Sequence, residues 1–174
     1  VKYDADGERQ WTQQFGTDKE DAGYGVAVDS NDNVIVTGIT YGALTGSNYG
    51  SSDIFLVKYD SSGVKQWTEQ LGTASEDVAY GLAVDSSRHI YVTGYTKGNP
   101  WDVTNNLDNE TNSGNSDAFI LKYYDNSTIH WTELLGTSSA EVGRSVTVDS
   151  TNLFLTGDNG TNSGDYDAFL AKYS

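Results

Sequence analysis

The sequence predicts an all-β protein made of three four-stranded antiparallel repeats, on three observations. A long segment recurs: Trp67 to Gly94 reads W-T-E-Q-L-G-T-A-S-E-D-V-A-Y-G-L-A-V-D-S-S-R-H-I-Y-V-T-G, Trp11 to Gly38 is a close copy, and Trp131 to Gly157 is a looser one. A second block follows each copy, as Ile54–Tyr59, Ala118–Tyr123 and Ala168–Tyr173. No window of helical length carries an apolar period of 3.6 residues, so no helix is expected. Repetition of this kind sets the architecture before any single residue is interpreted. The chain divides into one array with repeats at approximately 2–57, 58–121 and 122–174.

Each repeat contains four strand signals bounded by Gly, Ser, Asn or Asp. Lys65–Leu71 alternates around Trp67. Tyr80–Asp85 is a run of small apolar residues with Gly81 and Ala83. Ile90–Thr96 is β-branched and aromatic, and Asp117–Tyr123 is an apolar run ending in Lys-Tyr. Asp85-Ser86-Ser87 and Asp60-Ser61-Ser62-Gly63 have the composition of tight hairpin turns, with Gly63 suited to a positive φ. Length variation falls in one loop per repeat, between Gly38 and Asp53, Gly94 and Asp117, and Gly157 and Asp167. Insertions confined to one face are typical of repeat proteins. Four antiparallel strands per repeat fit a β-propeller blade, with the small residues of Tyr80–Asp85 innermost and Trp67 on the wider outer strand. A β-sandwich is the alternative, though sandwiches seldom repeat their sequence so literally.

The pattern W-T-x-x-x-G-T, Y-G-x-A-V-D-S, V-T-G and D-x-F-L-V-K-Y-D-S-S-G resembles the SBBP family of bacterial and archaeal β-propeller repeats, over essentially the whole chain. The resemblance implies blades in a secreted, modular context, at the cell surface or outside the cell. It carries over no catalytic residue. The third copy departs from the pattern: Arg144-Ser145 stand where Tyr24-Gly25 and Tyr80-Gly81 stood, and Tyr124 replaces Asp4 and Asp60.

The chain has 174 residues, 36% hydrophobic and 12% aromatic, enough for one domain with thin sheets and a real core. Its formal charge is −15, which disfavours nucleic acid and anionic membrane surfaces, and no stretch is apolar enough to insert in a bilayer. Zero cysteines exclude disulfides, thiolate metal sites and cysteine nucleophiles. With no Met, residue 1 is not a translation start, so a processed product or an excerpt of something longer is expected.

Val1-Lys2-Tyr3-Asp4 aligns with Val57-Lys58-Tyr59-Asp60, the end of a third strand. From the Trp11 strand onward, twelve strands are expected: one outer strand, two full blades and three strands of a last blade. Three blades' worth falls short of the roughly four to eight that close a propeller. An unpaired strand edge is a template for another chain. The partners expected are therefore other copies, in a ring or a filament, or further blades of a longer chain. The residues expected to be uncovered and to carry assembly are Trp11 and Phe15 at one end and Phe169, Leu170 and Tyr173 at the other.

Catalytic chemistry has little support, and no enzyme is expected. His89 and His130 pair with no Ser/Asp arrangement, and neither HExxH nor GxSxG occurs. Two sets of acids are phased with the repeat: Asp21, Asp77 and Glu141 before the innermost strand, and Asp53, Asp117 and Asp167 opening the third strand. A meander puts both sets on the same face as the variable loop. Their alternatives are satisfying backbone donors in turns or binding Ca²⁺, which takes several oxygen ligands. No other cofactor is expected. Asp29-Ser30-Asn31-Asp32-Asn33 begins like an EF-hand loop but lacks its later positions, and reads as a hairpin turn. In the long insertion, Trp101 with Asn105 and Asp108 has the composition of a sugar-stacking platform, making carbohydrate the alternative partner. Asn109, Asn126 and Asn159 lie in N-glycosylation sequons placed in loops. The function expected is a secreted structural module that self-associates by strand complementation; the alternative is a glycan- or cation-binding module of a longer surface protein.

Overall fold

A computed structural model describes residues 1–99, 111–160 and 165–173. In chain order the strands are β1 (Lys2–Tyr3), β2 (Arg9–Trp11), β3 (Asp21–Val28), β4 (Val34–Thr40), β5 (Asp53–Tyr59), β6 (Lys65–Leu71), β7 (Asp77–Val84), β8 (Ile90–Thr96), β9 (Asp117–Tyr123), β10 (Ile129–Leu135), β11 (Glu141–Val148), β12 (Leu153–Gly160) and β13 (Tyr166–Tyr173). No helix occurs among the described residues. The sheets are antiparallel meanders: β3-β4-β5-β6, β7-β8-β9-β10, the three-stranded β11-β12-β13, and a short β1-β2 hairpin. These are the first, second and third blades, preceded by a fragment of an outer hairpin. The first two blades each begin inside one sequence repeat and end in the next, since β6 pairs with β5 across the 57/58 boundary and β10 with β9 across 121/122.

The innermost strand starts earlier than its apolar run. It opens at Asp77, where the sequence pointed to Tyr80, because the Asp77 N–H donates to the Ser52 carbonyl of the preceding blade at 2.9 Å. That bond extends the strand into the acidic segment. Innermost β7 packs on β3, β4 and β5 of the first blade, and β11 packs on β7, β8 and β9 of the second. Blades therefore stack face to face, and the core lies between them. Between the first and second blades it holds Ile35, Ile54, Leu56, Val92, Phe119 and Leu121, with Trp67 on its margin. Between the second and third it holds Tyr91, Ile120, Val146 and Leu155, with Trp131 and Tyr173 on its margin.

The turns follow their side chains. Gly63 has φ of 86°. Asp29 accepts the Asn31 and Asn33 N–H groups at 2.8 and 3.0 Å, closing a hairpin turn at the EF-hand-like segment. Asp60 and Asp85 cap their turns in the same way. Ser, Asn and Asp recur between strands because the carboxylate substitutes for backbone acceptors that a tight turn cannot supply.

Gly72 is fixed by space, since a Cβ there would lie 2.0 Å from the Asp53 Oδ1. At Gly23 a Cβ would make ordinary contact, 3.6 Å from Val36 Cγ1. Gly72→Ala is expected to lower stability by about 1–3 kcal/mol through overpacking. Gly23→Ala is expected to stay within about 0.5 kcal/mol of the parent protein. Urea titrations of both variants check this; equal effects would remove the carboxylate as the reason for the glycine.

Candidate functional site

The phased acids form the joints between blades. The Thr73 N–H and Oγ1–H both donate to Asp77 Oδ2, at 2.6 and 2.9 Å, and the Thr96 hydroxyl donates to its other oxygen. Thr17 makes the same pair of bonds to Asp21, and Thr137 to Glu141. Asp53 accepts from the Tyr49 N–H and the Gln70 side chain, at 2.9 and 2.7 Å, and Asp117 accepts from the Ser113 N–H at 2.9 Å. Burial pushes the Asp77 carboxyl up, the hydroxyl and N–H donors oppose that, and the nearby Asp53 charge adds to it. Asp167 is exposed, unlike its buried counterparts Asp53 and Asp117. No group of three or more His, Asp or Glu side chains among the described residues is arranged to hold a metal ion. The donors visible at these acids are those of the chain itself.

At the inner edge of the blades lies a feature that composition did not single out as a site. Each innermost strand carries a β-bulge, between Gly23 and Gly25, Ala79 and Gly81, and Gly143 and Ser145. The bulged residues are Tyr24, Tyr80 and Arg144. A bulge re-aims a side chain, and these three form a stack. The Tyr24 and Tyr80 rings are 5.3 Å apart, and the Arg144 Cζ lies 4.9 Å from the Tyr80 centroid. The Arg144 Nε donates to Asp158 Oδ2 at 2.6 Å. Tyr95 flanks the stack, 6.1 Å from Tyr80, and its hydroxyl donates to Glu76, which also meets Lys97 at 3.0 Å. Burial and the Glu76 carboxylate push the Tyr95 phenol well above its ordinary value. The recurring Y-G dipeptide, broken once by Arg144-Ser145, was the signal in the sequence.

At the opposite end, an ion cluster ties the first two blades together. Lys58 Nζ lies 2.9 Å from Asp29 Oδ2 and also pairs with Asp125, which Arg88 Nε contacts at 2.9 Å. The equivalent place between the second and third blades is a cleft of about 420 Å³ lined by residues including Tyr91, Lys122, Trp131, Asp149 and Tyr173. There the lysine equivalent to Lys58, Lys122, lies over the Tyr91 ring at 5.1 Å, while Asp85 pairs with His89 and the Tyr91 hydroxyl.

The residues expected to be uncovered are only partly so. Trp11 and Phe15 pack on the first blade: the Trp11 Nε1–H donates to the Ser61 carbonyl at 3.1 Å, and Phe15 meets Phe55 edge-on at 5.3 Å. Phe169 and Tyr173 pack toward the second blade. An outer hairpin docks on the blade after it, so its aromatics find cover without their own blade. Leu170 is 75% exposed, whereas the equivalent Leu56 and Ile120 are 0% exposed. Trp101, Asn105, Asp108 and the sequon at Asn109 lie outside the described residues. Asn126 sits on an exposed turn, but Asn159 is half-buried within β12, paired with Glu141 and Asp167, and not in a loop as expected.

Repeated four-stranded blades joined at their inner strands define a β-propeller module. Residues 10–44 and 66–101 match the SBBP beta-propeller repeat family. It is similar to the uncharacterized WD repeat-containing protein L264 of Acanthamoeba polyphaga mimivirus, 29% identical over 174 residues, covering 87% of this chain and 12% of the relative. It is also similar to the regulatory protein FlaEY of Caulobacter vibrioides, 27% identical over 132 residues, covering 71% of this chain and 13% of the relative. The chain thus spans a small part of the length of both.

The Asp29–Lys58 pair sets an expected pH dependence. Burial raises the Asp29 carboxyl, but hydrogen bonds from Asn33, Lys58 and the Asn31 and Asn33 N–H groups outweigh it and hold the group at about 2. The folded-state value lies below the unfolded one. Its contribution is therefore present above about pH 4 and is lost as pH falls toward 2. The loss expected is about 2 kcal/mol, partly offset by Asp77, whose raised value favours the folded state in acid. Urea titrations from pH 6 to 2.5 check this, and Lys58→Met is expected to flatten the acid limb.

Proposed function

We propose that this chain is a structural β-propeller module, not an enzyme, that self-associates by strand complementation between copies. One observation carries the reading. The outer edge of β13 has no strand beside it among the described residues, and Leu170 is 75% exposed where its equivalents are fully buried. An open edge beside uncovered apolar surface favours strand addition. A complementary strand exists in the same chain. Residues 12–15 follow β2, lie over the first blade and pair with no strand among the described residues, while their equivalents in β6 pair with β5. The β5–β6 register carries over as Thr12↔Ala171, Gln13↔Leu170, Gln14↔Phe169 and Phe15↔Ala168. At Trp11 and Arg9 the ladder positions are held by β1, so Lys2–Tyr3 or Lys172–Tyr173 yields when the edge is filled. Two three-bladed copies carry six blades, within the roughly four to eight of closed propellers; a non-closing arrangement gives a filament. We place the module outside the cell or at its surface, the setting that resemblance to the repeat family suggests.

Sedimentation across a concentration series tests the reading. The mass is expected to rise with concentration. Leu170→Ala, on an exposed side chain, is expected to weaken association by about 2 kcal/mol, roughly thirtyfold in Kd, with an unchanged melting temperature. Trp11→Ala is expected to weaken association and also to loosen the first blade. A monomer at every concentration overturns self-association and leaves the same edges as seats for further blades of a longer chain.

A further inference from the structure

The outer hairpin of the second blade, between β9 and β10, is built differently from its two equivalents. In the β1–β2 and β5–β6 hairpins an aspartate closes the turn. Asp4 Oδ1 accepts the Asp6 and Glu8 N–H groups, and Asp60 Oδ1 accepts those of Ser62 and Val64. Three residues after each aspartate comes a glycine at a positive φ, 82° at Gly7 and 86° at Gly63. In the third hairpin Tyr124 stands in place of the aspartate, and Ser127 stands in place of the glycine with φ of 68°. A side chain disfavours that region of backbone space, so neither replacement strengthens the turn. A backbone conformation held against its residue type points to a duty beyond the turn itself.

Two contacts hold the altered turn. Asp125 anchors its base, pairing with Lys58 and, at 2.9 Å, with Arg88 Nε. Asn126 Oδ1 accepts the Thr128 N–H at 3.2 Å, the counterpart of the Val64 N–H that Asp60 accepts. Asn126 and Thr128 are both exposed. Residues 126–128 read Asn-Ser-Thr, the acceptor pattern for N-glycosylation. The asparagine closes the turn through its oxygen, so substitution on its nitrogen leaves that bond in place. The sequon at Asn159 begins inside a sheet instead. Asn159 is half-buried in β12 and paired on both sides, with Glu141 and with Asp167.

We propose that Asn126 is a site of N-glycosylation, with a polyprenyl phosphate- or diphosphate-linked oligosaccharide as the donor. Asn126 Nδ2 forms a bond to C1 of the first sugar, and the bond from that carbon to the phosphate oxygen breaks. Nδ2 gives up one proton, and the polyprenyl phosphate or diphosphate leaves with the electron pair. The Thr128 hydroxyl completes the pattern the transferase reads. The glycan stands at the end of the blade opposite the variable loops, beside the Asp125–Lys58 cluster. The inference rests on the extracellular placement proposed above and adds a covalent modification and its position.

Peptide mapping by mass spectrometry tests it, on the chain recovered from its own cells and on the chain secreted from a eukaryotic host that N-glycosylates. The peptide holding Asn126 is expected to carry the glycan in both, and peptide-N-glycosidase is expected to leave Asp at that position in the host-made chain. Thr128→Val installs the residue of the equivalent Val64 and keeps the N–H that Asn126 accepts. It is expected to abolish the glycan while the melting temperature matches that of the enzymatically deglycosylated parent. Thr128→Ser is expected to retain the glycan. A glycan that persists at Asn126 in Thr128→Val overturns the sequon as its basis. An unmodified Asn126 in chain recovered from outside its own cells overturns the site and leaves the placement standing. Recovery of the chain from the cell interior alone overturns both.

Discussion

Everything in this chain hangs on the Gly-Thr dipeptide that ends each outer strand. Gly72 leaves room for the Asp53 carboxylate of the blade just completed, and Thr73 donates twice to Asp77, which opens the next blade. Gly136 and Thr137 repeat the arrangement with Asp117 and Glu141. Two carboxylates from adjacent blades are thereby held within one turn of chain. Buried carboxylates are costly unless hydrogen-bonded, and here the turn supplies the donors. Each of these acids bonds to its own turn in this way, while Asp21 Oδ1 and Asp53 Oδ1 are buried without a hydrogen-bond partner among the described residues. The backbone bond from Asp77 to Ser52, and its copy from Glu141 to Ser116, completes the joint.

At the inner strands, a Cβ on Gly25 or Gly81 would crowd the threonine beside it in its own blade, Thr37 or Thr93, and then the next blade's inner strand. The bulges then turn Tyr24, Tyr80 and Arg144 onto a common line. The third repeat's departure from the family pattern falls at this line. Ser145 enters a contact whose glycine, Gly81, comes from the second blade.

The two ends of the array differ in how they are covered. At the first blade, the hairpin of β1 and β2 with the segment through Phe15 lays Trp11 and Phe15 over Tyr59 and Phe55. At the last, Phe169 and Tyr173 turn inward to the second blade, while Tyr166 and Leu170 are exposed. What remains open among the described residues is the backbone edge of β13 and β-branched surface on β3. Beside Trp131 and Lys122 lies a cleft, where between the first two blades the corresponding space is closed by Asp125, from the outer hairpin of the second blade.

The sequence by itself determined the blades. Literal repetition, apolar runs and turn residues gave the four-strand meander, and β6, β8 and β9 fall at the residues their patterns marked, because turn residues bound each of them. It also marked Asp77 and Asp53 as acids phased with the repeat, with turn bonding and Ca²⁺ binding as the alternatives. Thr73 lies only four residues from Asp77, within reach of local reading, whereas the Gln70 donor to Asp53 sits on the neighbouring strand and was decided by tertiary structure. The same holds for Tyr24, Tyr80 and Arg144, separated by whole blades in sequence and stacked only because three bulges point them the same way. The cover over Trp11 and Phe15 was likewise invisible, for it comes from the following blade, and burial depends on what packs against a strand rather than on the strand's own composition.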